Sequence, residues 1–445
     1  MGGTGAPTVR HFVVVRSAAV GDDTTSERRV RLYMAALLAV ALLIRLGWGL
    51  TRPTDAAAID ALPDQREYVA IATNLLHGYG LFFLDPRFDE NVYAYRTPGY
   101  PAFLAAVGAD VRLARAAQAL VDTSTVLAAY LLARRWLGRV SSAVAATLVA
   151  LNPFLVYFSG LILTETLFTA MLAWGMVMLV PPPHVPPRRG HPLVWLAGVC
   201  LLGLSVLVRP GAVGIPVVLA ILSAFVNRRD SEPYHRWRLP VGATSLLLTV
   251  LILLPWAYRN HRVVGRWVWT TTNGGITAYD GFNPDADGSS DQSFVKSMPQ
   301  LASMGEVGRS DYLAAKARQY ARENPARVVE LVARKVARTW SPVPLSAEFG
   351  SRPIYVVAAL LFAGPFYVLV ILGVLRSTLP RSAKVFLLAP AIYLTVAHAV
   401  SVGSLRYRIP AEVPMAVVAA AGCRPTVDRS WRRAGGPGEE LHPHG

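Results

Sequence analysis

The sequence predicts an all-α integral membrane protein of about ten spans, with its polar chemistry gathered in loops on one side of the bilayer. Three observations carry that reading. Charge is scarce: 16% of the 445 residues are charged and 53% are hydrophobic, with a mean hydropathy of +0.37. A soluble domain carries about 25% charged residues. The apolar residues fall in blocks close to the ~20 residues that cross a bilayer. Short arginine-rich connections separate the blocks at every second gap, the mark of cytoplasmic loops.

Taken in order, residues 1–31 form a polar cytoplasmic tail. The first apolar block, 32–50, has the length of a signal peptide core, but the small residues Ala56 and Ala58 lie too far beyond it for cleavage. It is read as an uncleaved anchor. Further blocks begin near Arg115, Val140, Ile162, Leu193, Gly211, Pro240, Pro353, Lys384 and Arg408, with Leu193 and Gly211 separated only by a hinge at Arg209-Pro210. The basic sets are Arg28, Arg29 and Arg31; Arg134, Arg135 and Arg139; Arg188 and Arg189; Arg228, Arg229, Arg236 and Arg238; Arg376, Arg381 and Lys384; and Arg424, Arg429, Arg432 and Arg433. All can be cytoplasmic only if an even number of spans separates them. Ten spans satisfy this and put both termini inside.

That parity divides the chain into a transmembrane core, 32–258, an outer segment, 259–352, closing helices, 353–422, and a cytoplasmic tail, 423–445. A first outer loop, 51–112, lies within the core. Long loops cross regardless of charge, so the basic character of 259–352 does not contradict its place. Residues 98–109 are apolar but too short to cross, which predicts a helix lying in the outer interface. The second outer segment opens on turn chemistry at Asn273-Gly274-Gly275, Asp280-Gly281 and Asn283-Pro284. It is then helical over 310–340 with a break at Pro325. Val328, Leu331, Val332 and Val336 share one face of its later half, and a basic remainder predicts a helix resting on anionic lipid.

The net charge of +16 sits in span-flanking arginines that meet lipid headgroups, so nucleic acid is excluded as a partner. Cys200 and Cys423 fall on opposite sides of several spans and do not pair, and no metal-ligand spacing exists. Asp285, Asp287 and Asp291 lack the closing Glu of a calcium loop. His77, His261 and His398 are scattered, and none is read as a ligand. Asp122, deep in a span, reads as a helix-packing hydrogen bond.

The chemistry concentrates outside. Asp64 and Arg96 both follow the first span, and one carboxylate beside one guanidinium at a bilayer surface suits work on a lipid-linked phosphate. Asp64 is the expected general base or acceptor-orienting group, against the plainer reading of a helix cap. Asp60 is a second carboxylate for the same place, and Glu67 reads as a helix-surface residue. Arg96 offers a fork to phosphate oxygens, against the plainer reading of a snorkelling interfacial cation. Arg259, Arg406 and Arg408 also fall at outer ends of spans, where an anionic lipid accounts for them. Glu165 lies near the outer end of its span, where a carboxylate must face a polar cavity. A secondary transporter and a polysaccharide polymerase or ligase using diphosphate-linked glycans remain the rival readings.

The chain resembles the polyprenyl-phosphate-dependent glycosyltransferases of the GT-C superfamily, the bacterial protein O-mannosyltransferases and the lipid A aminoarabinose transferase among them (glycosyltransferase family 39 type). The likeness runs in order along nearly the whole chain. It begins at Asp64, Tyr68, Ala72 and Leu75-Leu76-His77-Gly78 and continues through Arg96-Thr97-Pro98-Gly99-Tyr100-Pro101. Asn152-Pro153, Leu163-Thr164-Glu165, Pro255-Trp256 with Arg259-Asn260, Gly265 and Gly274-Gly275 follow. It closes on Asn324-Pro325 before Lys335 and Trp340, then Arg406-Tyr407-Arg408 and Pro410. Much of the family carries Asp-Glu or Gly-Asp-Ser where this chain has Pro63-Asp64-Gln65.

The resemblance implies a GT-C bundle with extracytoplasmic loops in the bacterial cytoplasmic membrane. The implied activity is transfer of one sugar from a polyprenyl-phosphate donor to a hydroxyl of a glycan, lipid or protein, with inversion. Asp64 becomes the catalytic residue, with Arg96, Arg259, Arg406 and Arg408 as donor-phosphate ligands. Asp60, Tyr68, Tyr100 and Glu165 line the site. No cofactor is required, a divalent cation stays open, and membrane lipids are the remaining partners.

Overall fold

The computed structural model describes residues 13–182, 191–226, 238–345 and 352–423. Arg188, Arg189, Arg228, Arg229, Arg236 and the C-terminal arginines, which carry part of the charge alternation, lie outside them. The fold is a helical membrane bundle with a smaller outer layer. The bundle helices are α1 (Val13–Leu50), α5 (Val111–Ala133), α6 (Arg139–Ala150), α7 (Pro153–Ser159), α8 (Glu165–Leu179), α9 (His191–Val206), α10 (Ile215–Val226), α11 (Arg238–Val264), α16 (Pro353–Arg376), α17 (Arg381–Ala399) and α18 (Ile409–Gly422). Every expected apolar block is helical. Among the described residues five helices are long and apolar enough to cross a bilayer, or six if the bent pair α6 and α7 counts as one span. α8, α9, α10 and α18 are shorter. At 1.5 Å per residue, α18 rises only about 21 Å against a hydrocarbon core of about 30 Å.

α1 starts well before the apolar block, so the tail from Val13 onward is already helix. Helix propagation from a stable span explains this, since each added residue gains a hydrogen bond without a new nucleation cost. At the other extreme, α18 is central: every residue from 409 to 421 is buried. A helix apolar all round belongs inside other helices. Its Ala and Val residues admit neighbours closely, and at Gly373 of α16 an added Cβ would lie 2.0 Å from the Val418 carbonyl oxygen. The outward faces keep large apolar side chains exposed, among them Leu43, Leu361, Ile371 and Val396. Such a surface fits lipid and not water.

The outer layer holds α2 (Ala56–Asp60), α3 (Pro63–Leu76), a hairpin of β1 (Phe83–Asp85) and β2 (Glu90–Val92), and α4 (Gly99–Ala106) from the first loop. The second segment adds α12 (Gly274–Gly281), α13 (Phe294–Ser297), α14 (Glu306–Glu323) and α15 (Pro325–Thr339). The break at Pro325 falls where the sequence places it. Two expectations need correction. α4 does not lie on the membrane: Tyr100, Pro101 and Leu104 are buried, and the Gly99 amide donates to the Leu207 carbonyl at 2.8 Å. The apolar face of α15 does not rest on lipid either. Val328, Leu331 and Val332 pack into a second core with Ile276, Tyr279, Phe282 and Leu313, a protein surface built by residues distant in sequence.

The two outer segments are tied where they approach the site. Glu306 accepts from the backbone amides of Tyr93 and Ala94 at 3.1 and 3.2 Å and from the Thr272 hydroxyl at 3.3 Å. Arg259 donates to the carbonyls of Tyr93 and Leu81, each at 2.7 Å. Both clamps act on the strand of chain that leads into Arg96.

Candidate active site

α3 begins at Pro63 with Leu62, not Asp64, at its N-cap position. Asp64 therefore sits in the first helical turn, and Asp64, Glu67 and Tyr68 share one face at i, i+3 and i+4. All three meet Arg96. Its Nη2 lies 2.5 Å from Asp64 Oδ1, its Nε donates to Glu67 Oε2 at 2.6 Å, and its guanidinium sits 5.2 Å from the Tyr68 ring centroid. Arg96 is thus an enclosed partner of two carboxylates, with 15% of its side chain exposed, and not a snorkelling surface cation. Glu67 is 5% exposed, which corrects its reading as a helix-surface residue.

The other oxygen of Asp64 turns to the far end of the chain. Arg406, in a single 3-10 turn (Leu405–Tyr407) ahead of α18, donates Nη1 to Asp64 Oδ2 at 3.1 Å and Nε to Glu165 Oε1 at 2.7 Å. Glu165 opens α8 and is 1% exposed. Arg209 Nη1 stands 3.5 Å from the same Glu165 oxygen. The result is a line of alternating charge: Glu67, Arg96, Asp64, Arg406, Glu165, Arg209. Asp64, in the middle of the line, is its most open member, with 29% of its side chain exposed.

In and beside the line, Glu165 Oε2, Thr166 Oγ1, Arg209 Nη1 and His398 Nε2 are buried without a hydrogen-bond partner among the described residues. The His398 ring stacks on Tyr407 at 3.6 Å, and Arg209 lies 5.2 Å over the other ring of that stack, Tyr407. Unsatisfied buried groups are costly in a folded protein, and these four have hydrogen-bonding capacity left for a ligand or water.

Environment separates the two carboxylates of α3. Burial alone would raise the Asp64 carboxyl, but Arg96 and Arg406 together hold it well below the usual range. Burial raises Glu67 above its usual value despite the pull of Arg96. Burial also pushes the Tyr68 and Tyr95 phenols up to about 12, so both stay protonated donors.

Of the expected site residues, Asp64, Tyr68, Arg96, Glu165 and Arg406 come together from four separate parts of the chain. Tyr100 lies beneath, its ring 5.0 Å from Tyr68 and its hydroxyl donating to Gln118 at 2.6 Å. Asp60 ends α2, exposed, and none of the cluster's hydrogen bonds reaches it. Arg259 is committed to the backbone carbonyls already described. Arg408 is buried against Glu412 at 2.9 Å and donates to the carbonyls of Thr339 and Ser341. Neither joins Asp64. Sequence reading passed over Arg209 as a hinge, although parity put it at an outer gap, the argument that singled out Arg406. Among the described residues no group of three or more His, Cys, Asp or Glu side chains is gathered as a metal site.

Residues 95–269 match the family of dolichyl-phosphate-mannose-protein mannosyltransferases, a span that contains Arg96, Glu165 and Arg209. No curated protein matches the chain. The archaeal oligosaccharyltransferase AglB from Archaeoglobus fulgidus, solved with an inhibitory peptide and a dolichol-phosphate, is 15% identical over 94% of this chain and 53% of its own, with a TM-score of 0.55. The fold is GT-C. An apo oligosaccharyltransferase from the same organism shares it at 17% identity, covering 87% of this chain and 50% of its own, with a TM-score of 0.50. ArnT from Cupriavidus metallidurans bound to undecaprenyl phosphate is 15% identical over 88% of this chain and 77% of its own, at a TM-score of 0.39. The chain spans about half the length of the oligosaccharyltransferases it matches.

Proposed function

We propose that the chain is a membrane glycosyltransferase that moves a single sugar from a polyprenyl-phosphate donor to an acceptor hydroxyl, with inversion. The acceptor is a glycan, lipid or protein, and the site faces outward from a bacterial cytoplasmic membrane with both termini inside. One observation carries this: Asp64 is held between two guanidiniums, Arg96 and Arg406, which arrive from opposite ends of the chain. Asp64 so paired is a weak base. A donor phosphate entering between Arg96 and Arg406 takes over their hydrogen bonds, releases the carboxylate and lets its proton affinity rise. Donor binding then arms the base.

The acceptor hydroxyl gives its proton to Asp64 as its oxygen attacks the anomeric carbon. The bond from that carbon to the phosphate oxygen breaks, and polyprenyl phosphate leaves with the electron pair. Arg96, Arg406 and Arg209 meet the charge on the leaving phosphate, so the route asks for no cofactor. Asp64 afterwards passes its proton to solvent. One carboxylate on one face of the sugar means a single displacement, hence inversion, and a stable leaving anion needs no acid, unlike the two-carboxyl glycosidases. Glu67 and Glu165 hold the guanidiniums in place.

Membranes carrying the protein and a labelled polyprenyl-phosphate sugar test this. Label should move to acceptor material as free polyprenyl phosphate is released. Flux of the sugar without transfer would make the chain a transporter, and transfer only of blocks from a diphosphate carrier would make it a polymerase or ligase.

A further inference from the structure

A second basic centre lies at the same end of the bundle as Asp64, where α1 and α7 finish and α5 and α16 begin. Arg52 follows α1, with its guanidinium 5.1 Å from the Trp48 ring centroid and 5.4 Å from that of Tyr157. Arg115, near the start of α5, is 3% exposed. It donates to the carbonyls of Arg52 and Pro53 at 2.9 and 3.0 Å, while its Nε is buried without a partner. Arg352 directly precedes α16 and is exposed, and its charge, like that of Arg52, acts on the Tyr157 hydroxyl. Tyr355 of α16 sets its ring nearly perpendicular to Trp48 at 6.3 Å and lies 5.7 Å from Tyr157. The aromatic wall depends on Gly160, where a Cβ would stand 2.8 Å from the Trp48 ring and 2.9 Å from Arg52 Cδ.

Among the described residues no carboxylate is paired with this charge. In the Asp64 line every guanidinium has a carboxylate beside it, whereas among the described residues none of Arg52, Arg115 and Arg352 forms an ion pair. Keeping three cations together without a counter-charge costs free energy unless an anion is supplied from outside. Just beyond them, Leu43 and Leu50 of α1 and Ile354 and Val357 of α16 are exposed, so the anion would arrive with apolar chains beside it.

We propose that this cleft binds the headgroup of an anionic phospholipid. Arg52 and Arg352 neutralise the phosphate, Arg115 fixes the Arg52 backbone, and Trp48, Tyr157 and Tyr355 flank the glycerol region as interfacial aromatics do. The acyl chains run down the exposed faces of α1 and α16. The site shares no residue with the Asp64 line and stands whether or not the chain transfers sugar.

The full chain, purified in detergent and titrated with dioleoylphosphatidylglycerol in native mass spectrometry, tests this, with dioleoylphosphatidylcholine as the neutral comparison. Phosphatidylglycerol should bind at least about tenfold more tightly than phosphatidylcholine, since each basic residue near an anionic headgroup contributes about one kcal/mol. Replacing both cations (Arg52→Gln with Arg352→Gln) should lower that affinity by about thirtyfold. The corresponding double lysine variant should keep most of it, which separates charge from folding. Arg318→Gln, exposed on α14, should change nothing. Equal binding of the two lipids, or an unaffected double glutamine variant, would overturn the proposal. So would displacement of the lipid by millimolar inorganic phosphate, which would make the cleft a free-anion site.

Discussion

Arg45 and Asp122 meet inside the bundle at 2.5 Å with neither side chain exposed, while Asp64 meets Arg96 at the same distance with 29% of its side chain open. The first pair is closed to solvent, although Asp122 Oδ1 is buried without a hydrogen-bond partner. Arg45 spends its remaining donors on the carbonyls of Ala41, Val149 and Ala150 at 3.1 to 3.2 Å, capping the end of α6 where the span breaks before α7. Helix ends leave such carbonyls without partners, so the cation seals a structural gap. The second centre is open and shared. Its three guanidiniums and three carboxylates come from α3, the chain after β2, α8, the hinge at Arg209 and the turn before α18, and orphaned polar atoms stand among and beside them. Proximity of opposite charges does not distinguish structure from function here. Access does: Asp122 has no solvent-facing surface, whereas Asp64 is 29% open.

The closed centre should fail in stability and the open one in activity. The largest effect is expected from Asp122→Ala, which leaves Arg45 buried and unpaired at a cost of about 3–5 kcal/mol. A thermal melt of the purified protein reads it, and Arg45→Met combined with Asp122→Leu should recover much of the loss. A melt unchanged in the single variant would remove the contrast between the two centres. Arg96→Ala should instead leave the melt less disturbed and lower transfer by about 10–100-fold, as expected for losing charge-assisted hydrogen bonds, and Arg96→Lys should recover only part. Arg96 is one of the two cations that hold Asp64 low. Its loss raises the Asp64 pKa, so the acidic limb of kcat/KM should move to higher pH. A limb that stayed in place would separate Arg96 from the base. Glu67→Gln keeps the shape but weakens the grip on Arg96, and transfer should fall by about tenfold. A drop as large as that of Arg96→Ala would move Glu67 from a positioning role into the chemistry.

Much of this was legible in the sequence. Helix blocks follow from apolar length, and charge alternation groups Asp64, Arg96, Glu165 and Arg406 on one side, where the structure brings them together. The gaps that parity puts outside, at 51–112, 209–210 and 400–408, do converge on one centre. What escaped depends on direction. Arg406 and Arg408 lie two residues apart in one motif, yet the turn sends the first to Asp64 and the second inward to Glu412. Glu67 looks like a surface residue until Arg96, 29 positions away, is brought onto the same face of α3. The amphipathic face of α15 announced a partner without saying whether lipid or protein, and the partner was built by α12 and α14.

The central claim is that Asp64 takes the acceptor proton once the donor phosphate has drawn Arg96 and Arg406 away. Single-turnover transfer from a labelled polyprenyl-phosphate sugar by Asp64→Asn, with donor binding measured on the same preparation, tests it most directly. Removing a general base costs about 10²–10⁴-fold, so the rate should fall by at least the lower figure. Donor affinity should hold or improve, because the carboxylate no longer competes for the two guanidiniums. A variant that transfers sugar at close to the normal rate, or one that loses donor binding along with transfer, would contradict the account.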